Sequence, residues 1–257
     1  REKLACDAVL MQIPIGREAD FRGIVDLVSR KALYFDGDFG EQVRVEEVPP
    51  ELEEDAARAR QHMLEALSLF SDELLEMLLS EEEVPDDLVH KVVKAAVLGQ
   101  QLTPVFLGSA YRNKGVQPLL DAVDRYLPSP LDREYHALAC DDPDRRLPLA
   151  TDPEKPTVAM AFKIAEDPYG ALTFMRIYQG KFVKGGTYYN QRTGRKERFS
   201  RIVRMHADTR EELDEACAGD IVAVLGVDCA SGDTYASEFG YCTLQNMFVP
   251  EPVIKMA

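Results

Sequence analysis

Gly108-Ser109-Ala110 is the stretch with the clearest capacity for chemistry. It follows the short apolar run "LTPVFLG" (102–108) and precedes the amphipathic segment "GVQPLLDAVDRYL" (115–127). Ligands of open α/β sheets sit beyond the carboxyl ends of strands, and a turn of small residues there leaves its backbone N–H groups uncovered. One such N–H can donate to the O6 of guanine and has nothing to give the amino group that adenine carries at that place. The same strand, turn and helix also make an ordinary chain connection, so the turn alone leaves both readings open. A second candidate is the run 192–210, with 7 basic and 2 acidic residues. Arg192, Arg195, Lys196, Arg198, Arg201 and Arg204 surround Thr193-Gly194. Cations on a hairpin suit phosphate positioning without base readout. The alternative is an outward face balanced by neighbouring carboxylates, and strand alternation lets only some of the six face one partner. A third candidate is acidic. Residues 36–90 carry 3 basic and 18 acidic side chains, and Glu51, Glu54 and Asp55 start the polar face of a helical segment there, opposite its apolar stripe. Such carboxylates form either a solvated helix face or a surface that speeds encounter with a basic partner.

Other chemistry is excluded by what the sequence lacks. There is no G-x-x-x-x-G-K-S/T phosphate cradle, and "GKFVKGG" (180–186) has the wrong spacing for one. "NKG" at 113–115 is followed by Val116, so no N-K-x-D motif exists either. Nothing in the chain can therefore grip a triphosphate with its Mg²⁺. His62, His90, His136 and His206 lack metal-ligand spacing, and the five cysteines form no C-x-x-C pair. Metal: none is expected, and reduced thiols are.

The elements that must position these residues fall into two kinds. "AVLMQIPIG" (8–16) reads as one buried strand and "FRGIVDLVSRKALYF" (21–35) as one or two more, with "DGDFGE" as a turn. From Pro50, apolar residues at Leu52, Ala56, Ala59, Met63, Leu67, Phe70, Leu74 and Leu78 recur every three or four positions. That period predicts one long helix, or two broken near Ser71-Asp72. A further helix restarts after Pro85 with Asp86 or Asp87 as its cap. In 115–127, Val116, Leu119, Leu120, Val123 and Leu127 share one face, with Pro118 tolerated in the first turn. Beyond "SPLD" (129–132) the pattern becomes short strands with frequent glycine turns, which predicts an antiparallel barrel. Tyr188 and Tyr189 are expected in its core or as cross-strand pairs.

Taken together, "GSAYRNKGVQPLLDAVDRYLPSPLD" (108–132), "FRGIVDLVSRKALYF", "DPYGALTFMRIYQGKFVKGGTYYN" and "RKERFSRIVRMHADTREELDEACAGDIVAVLGV" resemble bacterial elongation factor G, a family of translational GTPases. The resemblance covers essentially the whole chain. It implies an α/β fold, part of a P-loop GTPase domain over residues 1–132 with an α+β helical insert at about 17–100. An all-β translation-factor barrel follows at 133–247, and "PEPVI" (250–254) begins a third domain at 248–257. The resemblance implies guanine contact by Gly108, Ser109 and Ala110, contact with small-subunit ribosomal RNA by the basic run, and contact with the ribosomal stalk protein by Glu51, Glu54 and Asp55. In relatives "AGDIVAV" (218–224) faces the switch segments.

The parent implied is a ribosome-dependent GTP hydrolase that moves transfer and messenger RNA, using GTP/GDP and Mg²⁺. This chain by itself is expected to be a catalytically silent, cytoplasmic, monomeric fragment with no catalytic residue, no nucleotide bound and no membrane contact. Transfer and messenger RNA would be reached only through domains outside it. Two alternatives stand beside this. One is a paralogue for ribosome recycling or ribosomal protection. The other is a non-enzymatic ribosome-binding module, against which the abrupt start "REKLAC" and stop "PEPVIKMA" argue.

Overall fold

The computed structural model describes residues 6–142, 144–167, 170–207 and 209–245. The proposed third-domain start at 248–257 lies outside them. The chain divides into two compact units, Arg1–Pro128 and Ser129–Ala257, and each is described by itself.

In the first unit, "AVLMQIPIG" is two strands rather than the single one its apolar run suggests. β1 (Ala8–Leu10) and β2 (Gln12–Ile15) are separated by Met11 alone. Met11 is buried, its N–H donates to Val105 O at 3.0 Å, and its carbonyl accepts from Leu27 N–H at 3.0 Å. The backbone is thus shared between two sheets at this residue. β2 continues antiparallel to β3 (Gly23–Asp26), which pairs with β4 (Lys31–Asp36) and then β5 (Gln42–Glu47), in the order β2-β3-β4-β5. The Asp26 carboxylate makes the β3–β4 turn by accepting from Val28 N–H, Ser29 N–H and the Ser29 hydroxyl at 2.8–3.1 Å. Pro14, which has no N–H for a ladder, sits on the edge strand β2.

The long helical period resolves into α1 (Glu53–Ser68) and α2 (Asp72–Leu79). The break is at Ser71, whose hydroxyl accepts the Leu74 N–H at 3.3 Å and caps α2. α3 (Asp86–Leu98) starts differently from expectation. Pro85 occupies the cap position with no side-chain bond, and Asp86 and Asp87 stand in the first turn, where they favour the positive helix end. Arg60 on α1 donates its guanidinium to the carbonyls of Leu27, Val28 and Val84, joining helix to sheet. β6 (Thr103–Val105) lies parallel to β1, with Val9 opposite Pro104, and leads through the 108–115 turn into α4 (Val116–Tyr126).

The face of α4 that the sequence marks as apolar is not its packed face. Leu119, Leu120, Val123 and Leu127 are exposed, while Ala122 and Tyr126 join the core beneath α3. Helical period tells which side chains share a face; it does not say what covers them.

Among its described residues the second unit is built from strands, after a single 3-10 turn at Pro130–Asp132. β7 (Tyr135–Ala139) and β8 (Arg146–Leu149) form a hairpin. They are followed by β9 (Val158–Asp167), β10 (Gly170–Gln179), β11 (Lys181–Val183), β12 (Thr187–Asn190), β13 (Lys196–Arg198), β14 (Ile202–His206), β15 (Thr209–Leu213), β16 (Glu215–Cys217), β17 (Ile221–Leu225), β18 (Thr234–Ala236) and β19 (Cys242–Thr243). Eight run in the order β13-β12-β18-β9-β10-β17-β14-β15, with β11-β16 and β19-β7-β8 as smaller sheets. β13 and β14 stand first and seventh in that order, which in a flat sheet would be roughly 29 Å at about 4.8 Å per strand. Only Phe199, Ser200 and Arg201 join them, and so few residues reach about 15 Å. The sheet therefore has to curl on itself. Phe182 of β11, Ala216 of β16, Met175 and Ile177 of β10 and Tyr235 of β18 share the resulting core, as a barrel requires.

Candidate functional site

The 108–115 turn is built almost wholly from backbone. Ser109 N–H donates to Lys114 O at 2.8 Å and Lys114 N–H returns a bond to Ser109 O at 3.1 Å. Inside that ring, Arg112 N–H bonds Ser109 O and Asn113 N–H bonds Ala110 O. Asn113 (φ 50°) and Gly115 (φ 79°) close the loop in the left-handed region. Gly115 is dictated by space as well: a Cβ there would stand 2.4 Å from Leu107 O. A Cβ on Gly108 would stand 2.5 Å from Lys114 O.

The three residues singled out by the sequence thus divide. The Gly108 position serves close backbone approach, and the Ser109 N–H is spent inside the turn. The Ala110 N–H takes no part in the backbone bonds that close the turn among the described residues. Sequence spacing alone could not assign the three, because the Ser109–Lys114 bridge forms only once the loop folds back.

The six cations of the basic run surround the β12–β13 turn and the start of β14. Arg192 is an internal brace. Its guanidinium grips Asp233 through two bonds of 2.5 and 2.8 Å, and that carboxylate also accepts from Asn190 and from the Ala230 N–H. Burial pushes Asp233 upward, but the Arg192, Ala230 and Asn190 donors outweigh it and hold the carboxyl below its usual range. Arg195 pairs with Asp228 at 3.1 Å, Arg201 donates from Nε and Nη2 to one oxygen of Glu212 at 3.0 and 2.7 Å, and Arg204 lies 3.7 Å from Glu211 and 3.9 Å from Asp220. Lys196 stands over the Tyr189 ring at 5.4 Å, and Arg198 donates to Gly185 O. Among the described residues these two alone of the six pair with no carboxylate. Alternation puts them on the same face of β13, with Glu197 on the other. Glu197 is raised above its usual range by burial, against a bond from the Tyr235 hydroxyl at 3.2 Å. Its other oxygen is buried without a described partner.

Tyr188 is a core residue, its ring 4.7 Å from Phe182 and its hydroxyl bonded to Val183 N–H and Lys181 O. Tyr189 is the half-buried ring beneath Lys196. Of the acidic candidates, Glu51 and Glu54 are exposed at the start of α1, and Asp55 pairs with Arg58 one turn along. No helix among the described residues is long and apolar enough to cross a membrane, and these residues hold no cluster of three or more metal-ligating side chains.

The family model for elongation factor Tu domain 2 matches residues 170–236, the strands that close the barrel. Along its full length the chain is 60% identical to elongation factor G of Rhodopirellula baltica, and it spans 37% of that protein. It is 47% identical to elongation factor G 1 of Desulfotalea psychrophila and 49% identical to elongation factor G 2 of Anaeromyxobacter dehalogenans, again covering 37% of each. The chain thus spans little more than a third of the length of these relatives. A crystal structure of a Thermus thermophilus protein superposes on 92% of the chain with a TM-score of 0.71 and 28% identity, covering 32% of that protein.

Proposed function

Because the whole chain resembles elongation factor G, we propose that it supplies the base-reading turn, the insert and the second-domain barrel of a ribosome-dependent GTPase that moves transfer and messenger RNA. The parallel pair β1–β6 with α4 belongs, in this reading, to a P-loop GTPase sheet. GTP or GDP and Mg²⁺ are bound through phosphate motifs outside this chain, and the Ala110 N–H donates to guanine O6. Lys196 and Arg198 face ribosomal RNA phosphates of the small subunit, with Arg195, Arg201 and Arg204 released from their carboxylates as contacts form. Glu51 and Glu54 meet the stalk protein, while Asp55 stays with Arg58. "AGDIVAV" lies toward the nucleotide switch segments.

The observation that carries this is the identity with elongation factor G relatives along the full length of the chain, read together with a turn of small residues whose Ala110 N–H takes no part in the bonds that close it. A backbone amide alone holds a nucleotide no better than about millimolar, since most of the several kcal/mol comes from the phosphates. The chain by itself is therefore silent, and fluorescent GDP tests the reading directly. The full-length factor should bind it with Mg²⁺, and this chain alone should not. Tight binding by this chain alone, or no binding by the full-length factor, would refute the assignment.

A further inference from the structure

We infer that Gln12 and Gln117 are positioning residues for the base-reading turn, and that through them the turn and the insert segment 17–41 move as one piece. The inference rests on the assignment of Ala110 N–H to guanine O6. Contacts tie the turn to this segment at several points. Arg112 donates to Ala19 O and Lys114 to Phe21 O, each at 3.4 Å. A Cβ on Gly40 would stand 2.8 Å from Asn113 O and 2.9 Å from Arg112 O, so the two backbones touch. Gln117 donates from Nε2 to Gly40 O at 2.8 Å. On the strand side, Leu107 N–H donates to Gln12 Oε1 at 3.0 Å, and Gln12 is 1% exposed.

These bonds fix which way each amide points and so what each has left. Gln12 accepts at Oε1 and retains a donor, Nε2. Gln117 donates from Nε2 and retains an acceptor, Oε1. Both leftover atoms are buried with no partner among the described residues. Both glutamines line one cavity of about 370 Å³, together with Phe106, Asp26, His90 and Tyr126. A buried donor and a buried acceptor each carry a desolvation cost until they are satisfied. The leftover donor and the leftover acceptor are complementary and line the same cavity, so a small side-chain rotation or a single bridging water would satisfy both. The relay then runs Leu107, Gln12, Gln117, Gly40, from the strand that carries the turn to the insert that braces it. Loss of either glutamine frees the turn without touching the phosphate site.

The test uses the full-length factor. Release of N-methylanthraniloyl-GDP is followed by stopped flow for wild type, Gln12→Ala, Gln117→Ala and the double variant. The diphosphate of 2-aminopurine riboside, which lacks O6, is measured in parallel by competition. Each single variant should speed GDP release about three- to tenfold, the size of one hydrogen bond. The double variant should add no more than about twofold to the faster single, because the two residues act as a unit. Binding of the 2-aminopurine nucleotide should stay at the wild-type value, which a general loosening of the fold would not allow. Unchanged GDP release, additive effects in the double variant, or equal weakening of both nucleotides would overturn the inference. Wild type failing to bind GDP would instead remove the base-reading assignment, and this inference with it. Should Gln12→Ala not fold, Gln117→Ala, at the half-buried start of α4, carries the nucleotide comparison.

Discussion

The 108–115 turn and the β12–β13 hairpin are both short connections that carry a proposed ligand contact, and they are held in opposite ways. The turn is shaped by backbone: a paired Ser109–Lys114 bridge, two left-handed residues and glycines that admit main-chain atoms at 2.4–2.5 Å from where a side chain would begin. The hairpin is organised by side chains around the buried Asp233 carboxylate, which Arg192, Asn190 and the Ala230 amide all address. Reading one edge of a base needs a donor fixed to within a few tenths of an ångström, and backbone geometry provides that without regard to pH or salt. Meeting phosphates needs cations that can adjust, and side-chain pairs provide those at the cost of sensitivity to both.

The sharpest way to break this contrast is Asp233→Ala. It removes the buried acceptor of Asn190 and of the Ala230 amide, while Arg192 is left in solvent, and should destabilise the barrel by about 2–3 kcal/mol in urea titrations. The pH dependence has a definite sign. Asp233 is depressed in the folded state, so its contribution is complete above the unfolded carboxylate value and is lost as pH falls through the lower folded value. Acid unfolding of the barrel should therefore set in at higher pH in Asp233→Asn. Gly115→Ala should cost the first unit about 2 kcal/mol, from an unfavourable φ and a clash with Leu107 O. The Asp233 loss should shrink as pH falls below the unfolded carboxylate value, whereas this one should stay flat through that acid range, and a pH-dependent loss would show that charge also shapes the turn. Reversing Lys196 and Arg198 to Glu should weaken binding to small ribosomal subunits and reduce the log–log salt slope by about 0.9 for each phosphate contact removed. An unchanged slope would rule out phosphate contact by either residue. The smallest effect is expected from Glu197→Gln. Its raised folded value means that stability falls as pH rises from the unfolded carboxylate value through the folded one, and the amide removes that fall. The barrel's melting midpoint at neutral pH should rise by roughly 2–4 °C, whereas a drop would mean that the ionised carboxylate is needed.

How much of this was legible depended on whether the signal was local. The helix break near Ser71 and the hairpin at Thr193-Gly194 follow from residues within three or four positions of one another. The split of 8–16 between two sheets did not, because Met11 changes sheet through bonds to Val105 and Leu27, far along the chain. The apolar stripe of α4 was legible as a stripe, but its exposure was not. Within the basic run, charge was visible and availability was not: Asp233, Glu211, Glu212 and Asp228, which occupy four of the six cations, arrive on later parts of the chain. The glutamine relay left no trace in sequence, since nothing about Gln12 or Gln117 taken singly marks an unused donor or acceptor.

Pro14 has a consequence for how the insert behaves in a crowded solution. A four-stranded open sheet has two rims of unspent main-chain groups, each an invitation for another chain to extend it. On the β2 rim, Pro14 withdraws one donor outright. On the β5 rim every residue is exposed, and Arg44, Glu46 and Glu47 stud it with charges of both signs. Each rim is thereby made a poor template for growth, which lets the insert keep a broad, open surface without seeding fibrils.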